Sequence, residues 1–390
     1  MLAMSQAYWI AFAQCRSISL KEKHVLLKHF GTLKEVHEAF LKASESHSDN
    51  VGTVSKIQEL LKKIGDWNLD AAKNEMRLLS EHNAWVLCLE DQDYPKYLKQ
   101  TIDAPLVLYG KGIWPRKDSK HLSVVGTRKM SSYGKRMTKL LCEEFSKAGM
   151  VLVSGLASGI DTVAHQASLN QNQPTIAVLG HGLGHLYPKE NIQLAENITK
   201  VGCLLTEYAF NQGPQKYHFP QRNRIVAGLS KGTFVCEGAQ KSGAGITARL
   251  ALEENRNIYA LPCPIDSEVS YLPNTLIAQG AKLVQSSKDI LEDYGFVFDY
   301  GFNKKTLIGT EQENKTPLEQ KKEHLQDLSL KLTKLQYELI CAISESESVA
   351  EHDIQNVVAC GSLDLIKNLA LLESKGLIKR QLDGKWSESD

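Results

Sequence analysis

Residues 151–161 read Val151-Leu-Val-Ser-Gly-Leu-Ala-Ser-Gly-Ile-Asp161, and this stretch decides the fold. A short apolar run ends in a glycine loop, and the loop runs directly into a helical pattern. The same grammar stands upstream, where Leu122–Val125 is followed by Gly126-Thr-Arg-Lys129 and the helical run Tyr133–Ala148. It recurs downstream. Further strand candidates are Thr175–Leu179, Cys203–Glu207, Thr233–Glu237, Ile258–Leu261 and Lys282–Val284. Between them lie helix candidates at Ile160–Ser168, Asn191–Thr199, Arg222–Leu229, Ile246–Glu254 and Asn274–Ala278. Continuously apolar strands are buried on both faces, and their alternation with helices makes βαβ units on a parallel sheet. The expected core is therefore α/β, a doubly wound, Rossmann-like, mostly parallel sheet.

The flanks differ from this core. Residues 1–90 read as a small helical module of the helix-hairpin-helix kind: Leu26 and Leu27 precede the break Phe30-Gly-Thr32, and Ile57, Leu60, Leu61 and Ile64 recur at helical spacing. Residues 91–300 hold the Rossmann-like domain. Residues 301–330 are polar and charged and read as a linker. Residues 331–390 give helical runs at Leu332–Ser344, His352–Val358 and Ser362–Gly376. These are followed by Leu377–Leu382, an Asp383-Gly384 turn and Lys385-Trp386, a winged-helix pattern.

Composition narrows the function. The 390 residues are 42% apolar and 23% charged, and 46 basic against 45 acidic residues leave a net charge of +1. That excludes a polybasic coat protein but not a local basic groove. No run approaches the ~18 apolar residues of a membrane span, and the first residues lack a signal-peptide pattern, so a cytoplasmic protein is expected. The eight cysteines are scattered without a Cys-x-x-Cys, which reads as buried reduced thiols.

In an open parallel sheet, ligands bind beyond the carboxyl ends of the strands. There the sequence places glycine loops and a rim of cations: Arg128, Lys129, Lys189, Lys216, Arg222, Arg224, Lys241 and Arg249. Tyr187, Tyr217 and Phe219 are interleaved with them. Gly126, Ser242 and Gly243 open loops where backbone N–H groups and helix N-termini favour anions. Cations with flat aromatic faces suit a nucleic-acid strand, charge for phosphates and ring surface for bases. Each piece has a plainer reading: glycines after strands form tight turns, Arg222 and Arg224 could pair with Glu207 or Glu237, and Asp161 would hold a loop. Recurrence at successive strand ends favours binding.

Catalytic signatures fail. No Walker loop is present, and no G-x-G-x-x-G follows the first strand. Gly228-Leu-Ser230-Lys-Gly232 matches G-x-S-x-G but leaves a helix and enters a strand, the reverse of a nucleophile elbow. His181 and His185 have tolerable ligand spacing in a glycine loop without further donors, so no metal or cofactor is expected.

At these residues the chain resembles the DprA/Smf family of bacterial DNA-processing proteins. The matching segments are Val124–Arg128, Ser154–Asp161, Ile176–Gly180, Tyr187-Pro-Lys-Glu-Asn191, Phe219–Gly228 and Ser242–Arg249, with Asp93–Leu98 and Pro105–Tyr109 upstream. The resemblance implies a non-enzymatic protein. It would bind single-stranded DNA, dimerise through the Rossmann-like domain and load RecA recombinase on incoming DNA during natural transformation. It implies that Arg128 holds a phosphate, that Lys189, Lys216 and Phe219 line the strand path with Phe219 against a base, and that Arg222, Asn223 and Arg224 support or extend it. Cys263-Pro264 departs from the family's usual Gly after Pro, and Gly243-Ala-Gly245 is richer in glycine than its usual segment.

The alternative is a nucleotide phosphoribohydrolase of the related lysine-decarboxylase-like group. Against it, Arg249 stands where that chemistry wants an acid. The tail from Leu332 carries six basic and ten acidic residues, so it reads as an interaction module rather than a duplex reader.

Overall fold

A computed structural model describes residues 2–45, 56–65 and 67–296, together with positions between 335 and 388. The chain divides into two units, Met1–Tyr300 and Gly301–Asp390.

Unit one is built on a nine-stranded sheet. Its parallel strands are β3 (His121–Val125), β4 (Val151–Ser154), β5 (Thr175–Val178), β6 (Cys203–Thr206), β7 (Gly232–Val235), β8 (Asn257–Ala260) and β9 (Lys282–Leu283). Two more strands, β1 (Ala84–Cys88) and β2 (Val107–Gly112), join antiparallel beside β6. In the order β1-β2-β6-β5-β4-β3-β7-β8-β9, the chain's progress across the sheet reverses between β3 and β7. A doubly wound sheet opens a crevice at such a switch point, beyond the carboxyl ends of its strands. The Rossmann-like fold expected from the strand–helix alternation is the fold observed.

Strand residues alternate between two cores. Leu122, Val124, Leu152 and Phe234 face one side, under α7 (Ser132–Lys147) and α8 (Ile160–Asn170). Val125, Val153, Ile176, Val178 and Val235 face the other, under α10 (His218–Gly228) and α11 (Gly243–Glu253). Between these helices in the chain, α9 (Ile192–Val201) packs on β5 and β6. With both faces covered, no strand needs a polar face. Shorter helices complete the unit: α6 (Lys96–Lys99) ahead of β2, then α12 (Tyr271–Ala278) and α13 (Lys288–Leu291) on either side of β9.

The N-terminal helices are α1 (Leu2–Gln14), α2 (Leu20–Phe30), α3 (Leu33–Glu45), α4 (Lys56–Lys63) and α5 (Leu69–Glu81). Gly31, at φ +87°, ends α2 where the sequence breaks, and Ser19 and Glu22 close a reciprocal cap at its start. Phe12 stacks on Trp67 at 4.9 Å, and this core runs without interruption into Leu106, Val107 and Tyr109 of the sheet. The module differs from its all-helical expectation because β1 lies within residues 1–90 and pairs with β2. Three helices, α10, α11 and α12, begin three or four residues earlier than their pattern suggested, α11 at Gly243 behind its Ser242 cap. In α10 and α12, Pro220 and Pro273 lie in the first turn, where the missing N–H has no intrahelical acceptor to lose. The six described cysteines in unit one are all buried.

In unit two, helix α14 (Ser362–Ser374) precedes the antiparallel pair β10 (Ile378–Arg380) and β11 (Trp386–Glu388), with Gly384 in the turn at φ +84°. Leu365, Leu369, Leu372, Ile378 and Trp386 contribute to the core of this unit. The linker and much of the helical runs expected at 332–344 and 352–358 lie outside the described residues. Among the described residues, no helix is long and apolar enough to cross a membrane.

One buried group sets a pH signature. His165 on α8 is fully buried, with Nδ1 2.8 Å from Thr175 Oγ1, whose hydroxyl donates to Leu152 O at 2.7 Å. The imidazole N–H therefore donates through Nδ1, and Nε2 has no partner among the described residues. Burial drives the ring's pKa down to about 3. The unfolded chain takes up this proton below about pH 6.5 and the folded chain does not, so its stability is lost as pH falls from there toward 3. Replacing His165 with Gln should flatten the slope of unfolding free energy between pH 6.5 and 4 by about 1.4 kcal/mol per pH unit. Urea titrations across that range read this directly. Asp161 and Glu207, whose carboxyls burial raises, pull the other way in both proteins, so an unchanged slope would refute the assignment.

Candidate nucleic-acid interface

The loops after β3 and β4 are locked together before any side chain reaches solvent. Gly159, at φ +89°, ends the β4 loop, and a Cβ there would lie 2.3 Å from Thr127 O. A Cβ on Gly126 would lie 2.4 Å from Ile160. Ile160 N donates to Thr127 O, and Thr127 N donates to Glu237 O at the end of β7. Three strand ends are thus tied by backbone across the switch point.

A buried charge lies beneath them. Arg222 on α10 is 4% exposed and donates to Gly155 O at 2.6 Å and to Val178 O. Gly155 has no Cβ because the guanidinium stands where one would be. Asp161 accepts from Gly155 N at 3.0 Å and Ala157 N at 3.3 Å, so it holds the loop, as its place in the sequence suggested. Burial raises the Asp161 carboxyl against the opposing pull of Arg222 and these two N–H groups. Burial lowers Arg222 to about 10, which leaves it cationic at neutral pH.

The segment Tyr187–Asn191 is pinned to the same loop. Asn191 donates to Leu156 O and Thr162 Oγ1, and Glu190 accepts from Ser158 Oγ at 2.7 Å. Tyr187 and Phe219 then stand side by side, ring centroids 5.7 Å apart, with Phe219 against Gly180. Ser242 caps α11, and Gly243 follows. A Cβ on Gly243 would meet nothing within 4 Å, so packing does not demand glycine there. The backbone stays open at that point.

These elements enclose two adjoining clefts of about 670 and 310 Å³, which share Arg128, Gly155, Ala157, Tyr187, Phe219 and Arg222. Gly126, Lys216, Asn223, Lys241, Ser242 and Gly243 border the larger, and Lys189 the smaller. Together they form one groove over the switch point. Arg128, Lys189, Lys216 and Lys241 are exposed, and none has a carboxylate within 4 Å among the described residues. The N-termini of α8 and α11 open onto the same rim and add positive potential, whereas that of α7 is capped by the Glu237 carboxylate.

Two expected residues stand elsewhere. Arg224 points away from the groove and is held by Glu207 and by Asp103 at 3.4 Å. Residues two apart on a helix diverge by about 200°, so Arg222 and Arg224 cannot share one face. Arg249 lies exposed on α11 beside Glu253 at 3.6 Å, outside the groove lining. Lys129 and Tyr217 of the rim do not line it either. Glu237 pairs with no arginine among the described residues: its carboxylate accepts from Ser131 N and Oγ and caps α7. Ser230 of the G-x-S-x-G match is fully buried and bonded to Ser123. His181 and His185 engage separate carbonyls, those of Gly182 and Asn211. The role of Asn191 as a tie between two loops carried no signal that sequence reasoning used.

The family model for DNA recombination-mediator protein A matches residues 85–295. Protein Smf of Synechocystis sp. is 34% identical over a 402-residue alignment that takes in 96% of this chain and 97% of that one. DNA processing protein DprA of Bacillus subtilis is 43% identical over 206 residues, 53% of this chain and 69% of its own. The X-ray structure of DNA processing protein A from Streptococcus pneumoniae aligns with a TM-score of 0.54 at 34% identity, covering 72% of this chain and 99% of that chain. With likeness running through the sheet, the groove loops and nearly the full length of one relative, this chain belongs to the DNA recombination-mediator protein A family, the DprA/Smf proteins.

Proposed function

We propose that this chain binds single-stranded DNA in the groove over the switch point, as a binding protein rather than an enzyme, and passes the strand to RecA recombinase during uptake of DNA. One observation carries the binding step. Four cations without a carboxylate partner among the described residues, Arg128, Lys189, Lys216 and Lys241, border the two adjoining clefts that share the ring pair Tyr187 and Phe219. Phosphates take the cations and an unstacked base takes a ring face. Arg222 supports the floor, and Gly126, Asn223, Ser242 and Gly243 bring backbone and amide donors to the wall. The recombinase step rests on membership of a recombination-mediator family. The phosphoribohydrolase reading loses its support, since Glu237 is spent on a helix cap and Arg249 lies outside the groove.

Titrating an oligothymidine and a matched duplex across salt tests the proposal. Single-strand binding should be the tighter and should weaken steeply with salt. Arg128→Ala and Lys216→Ala should each weaken it for every sequence and reduce the salt slope by about 0.7. Phe219→Ala should cost about 1–3 kcal/mol with the salt slope unchanged. Equal binding of duplex, or variants that bind like the parent, would overturn the groove as the DNA path.

The same proposal includes pairing of two copies through the Rossmann-like domain. Ile265, on the loop after β8, is 96% exposed and is the barest large apolar side chain described. Ile265→Arg should convert a dimer to a monomer in light scattering. A parent that is monomeric, or a variant that stays dimeric, would reject this surface.

A further inference from the structure

The amino edge of the sheet, opposite the groove, carries its own cations. Lys120, Lys231 and Arg256 each immediately precede a strand, β3, β7 and β8, and these strands are neighbours. Adjacent strands lie about 4.8 Å apart, so the three form a row. Each is tethered to an aromatic ring. Lys120 Nζ stands 4.0 Å from the Phe296 centroid, Lys231 5.5 Å from that of Tyr294, and Arg256 4.9 Å from that of Tyr97. Helices α10 and α11 end just before Lys231 and Arg256, and a helix C-terminus attracts cations, so this inner row has a structural cause.

The outer cations have none. Lys96, Arg116 and Lys117 are exposed, and none has a carboxylate within 4 Å among the described residues. With Lys120 and Lys231 they border a cleft of about 330 Å³ beside Tyr97 and Trp114. Its lining holds these five cations against two carboxylates, Asp93 and Asp118. Gathered like charges repel unless a polyanion compensates them.

We infer that this cleft is a second nucleic-acid contact, taking a phosphate stretch of a single strand on the edge of the sheet opposite the groove. Tyr97, held on one side by Arg256, is still 37% exposed beside these cations, and an exposed ring there favours a strand with accessible bases over an acidic peptide, which would use the charge alone. The inference rests on the reading that the chain handles single-stranded DNA, but it concerns different residues.

The test uses the full chain, Lys96→Glu/Lys117→Glu as the variant and Lys96→Arg/Lys117→Arg as the charge-keeping control. Two oligothymidines with different fluorophores are mixed with each protein at low salt, and energy transfer reports two strands on one protein. Light scattering on each sample accounts for pairing of copies, and circular dichroism confirms folding. The parent and the arginine control should show a second, weaker binding event, and the glutamate variant should lose it at least tenfold while its tighter event is unchanged. A second event that survives in the glutamate variant, or is absent from the parent, overturns the inference. So does a polyglutamate peptide that displaces the second oligothymidine at equal concentration of charge. Loss of the tighter event in Arg128→Ala reports on the groove alone, so the two readings fail separately.

Discussion

The guanidinium of Arg222 is the constraint on which the groove over the switch point depends. It stands under the loop after β4, occupies the space a side chain at residue 155 would need, and supplies the charge opposite Asp161. A buried cation is costly to desolvate, and its cost is offset only by close acceptors and a nearby anion. The acceptors, Gly155 O and Val178 O, lie at the carboxyl ends of β4 and β5. The burial that makes the charge expensive therefore also fixes the loops that present Arg128, Lys189 and the Tyr187–Phe219 pair. Buried charge organises the floor, and uncompensated charge is kept for the surface.

Much of this fold could be read from the chain because its strands obey a simple physical rule. Val151–Ser154 and Thr175–Val178 are buried at successive positions since helices cover both faces, and that pattern needs no knowledge of neighbours. The antiparallel pair was harder. In β1 the residues Ala84–Leu87 are half-buried, and β2 ends in Gly110-Lys-Gly112. Gly110 is required because the Trp85 indole lies 2.1 Å from where its Cβ would be, a contact between residues of two strands. Periodicity along one strand cannot report a requirement imposed by the next.

The site was legible in residue type and less so in direction. Glycine loops and cations after each strand marked the edge of the sheet where the groove opens. Which cations face outward depended on helix phase and on partners. Arg224 is captured by Glu207 and Asp103, the latter far away in sequence, and Arg249 lies one helix face from the groove. Lys241 and Tyr187 were visible as rim residues, and the loop ties made by Asn191 and Glu190 bring Tyr187 to Phe219.

The pairing of β1 with β2 has a consequence for how such a chain can be cut or recombined in evolution. The N-terminal helices are joined to the sheet by β1, by a core shared with Tyr109, and by Glu75, which accepts the Phe210 N–H at 2.6 Å. Removing residues 1–90 would strip away an outer strand along with the helices. The newly bared β2 would offer a row of unpaired N–H and C=O groups to any other chain. A module exchanged at this end must bring a strand to pair with β2, or the sheet's open margin passes from β1 to a strand that is otherwise paired on both sides.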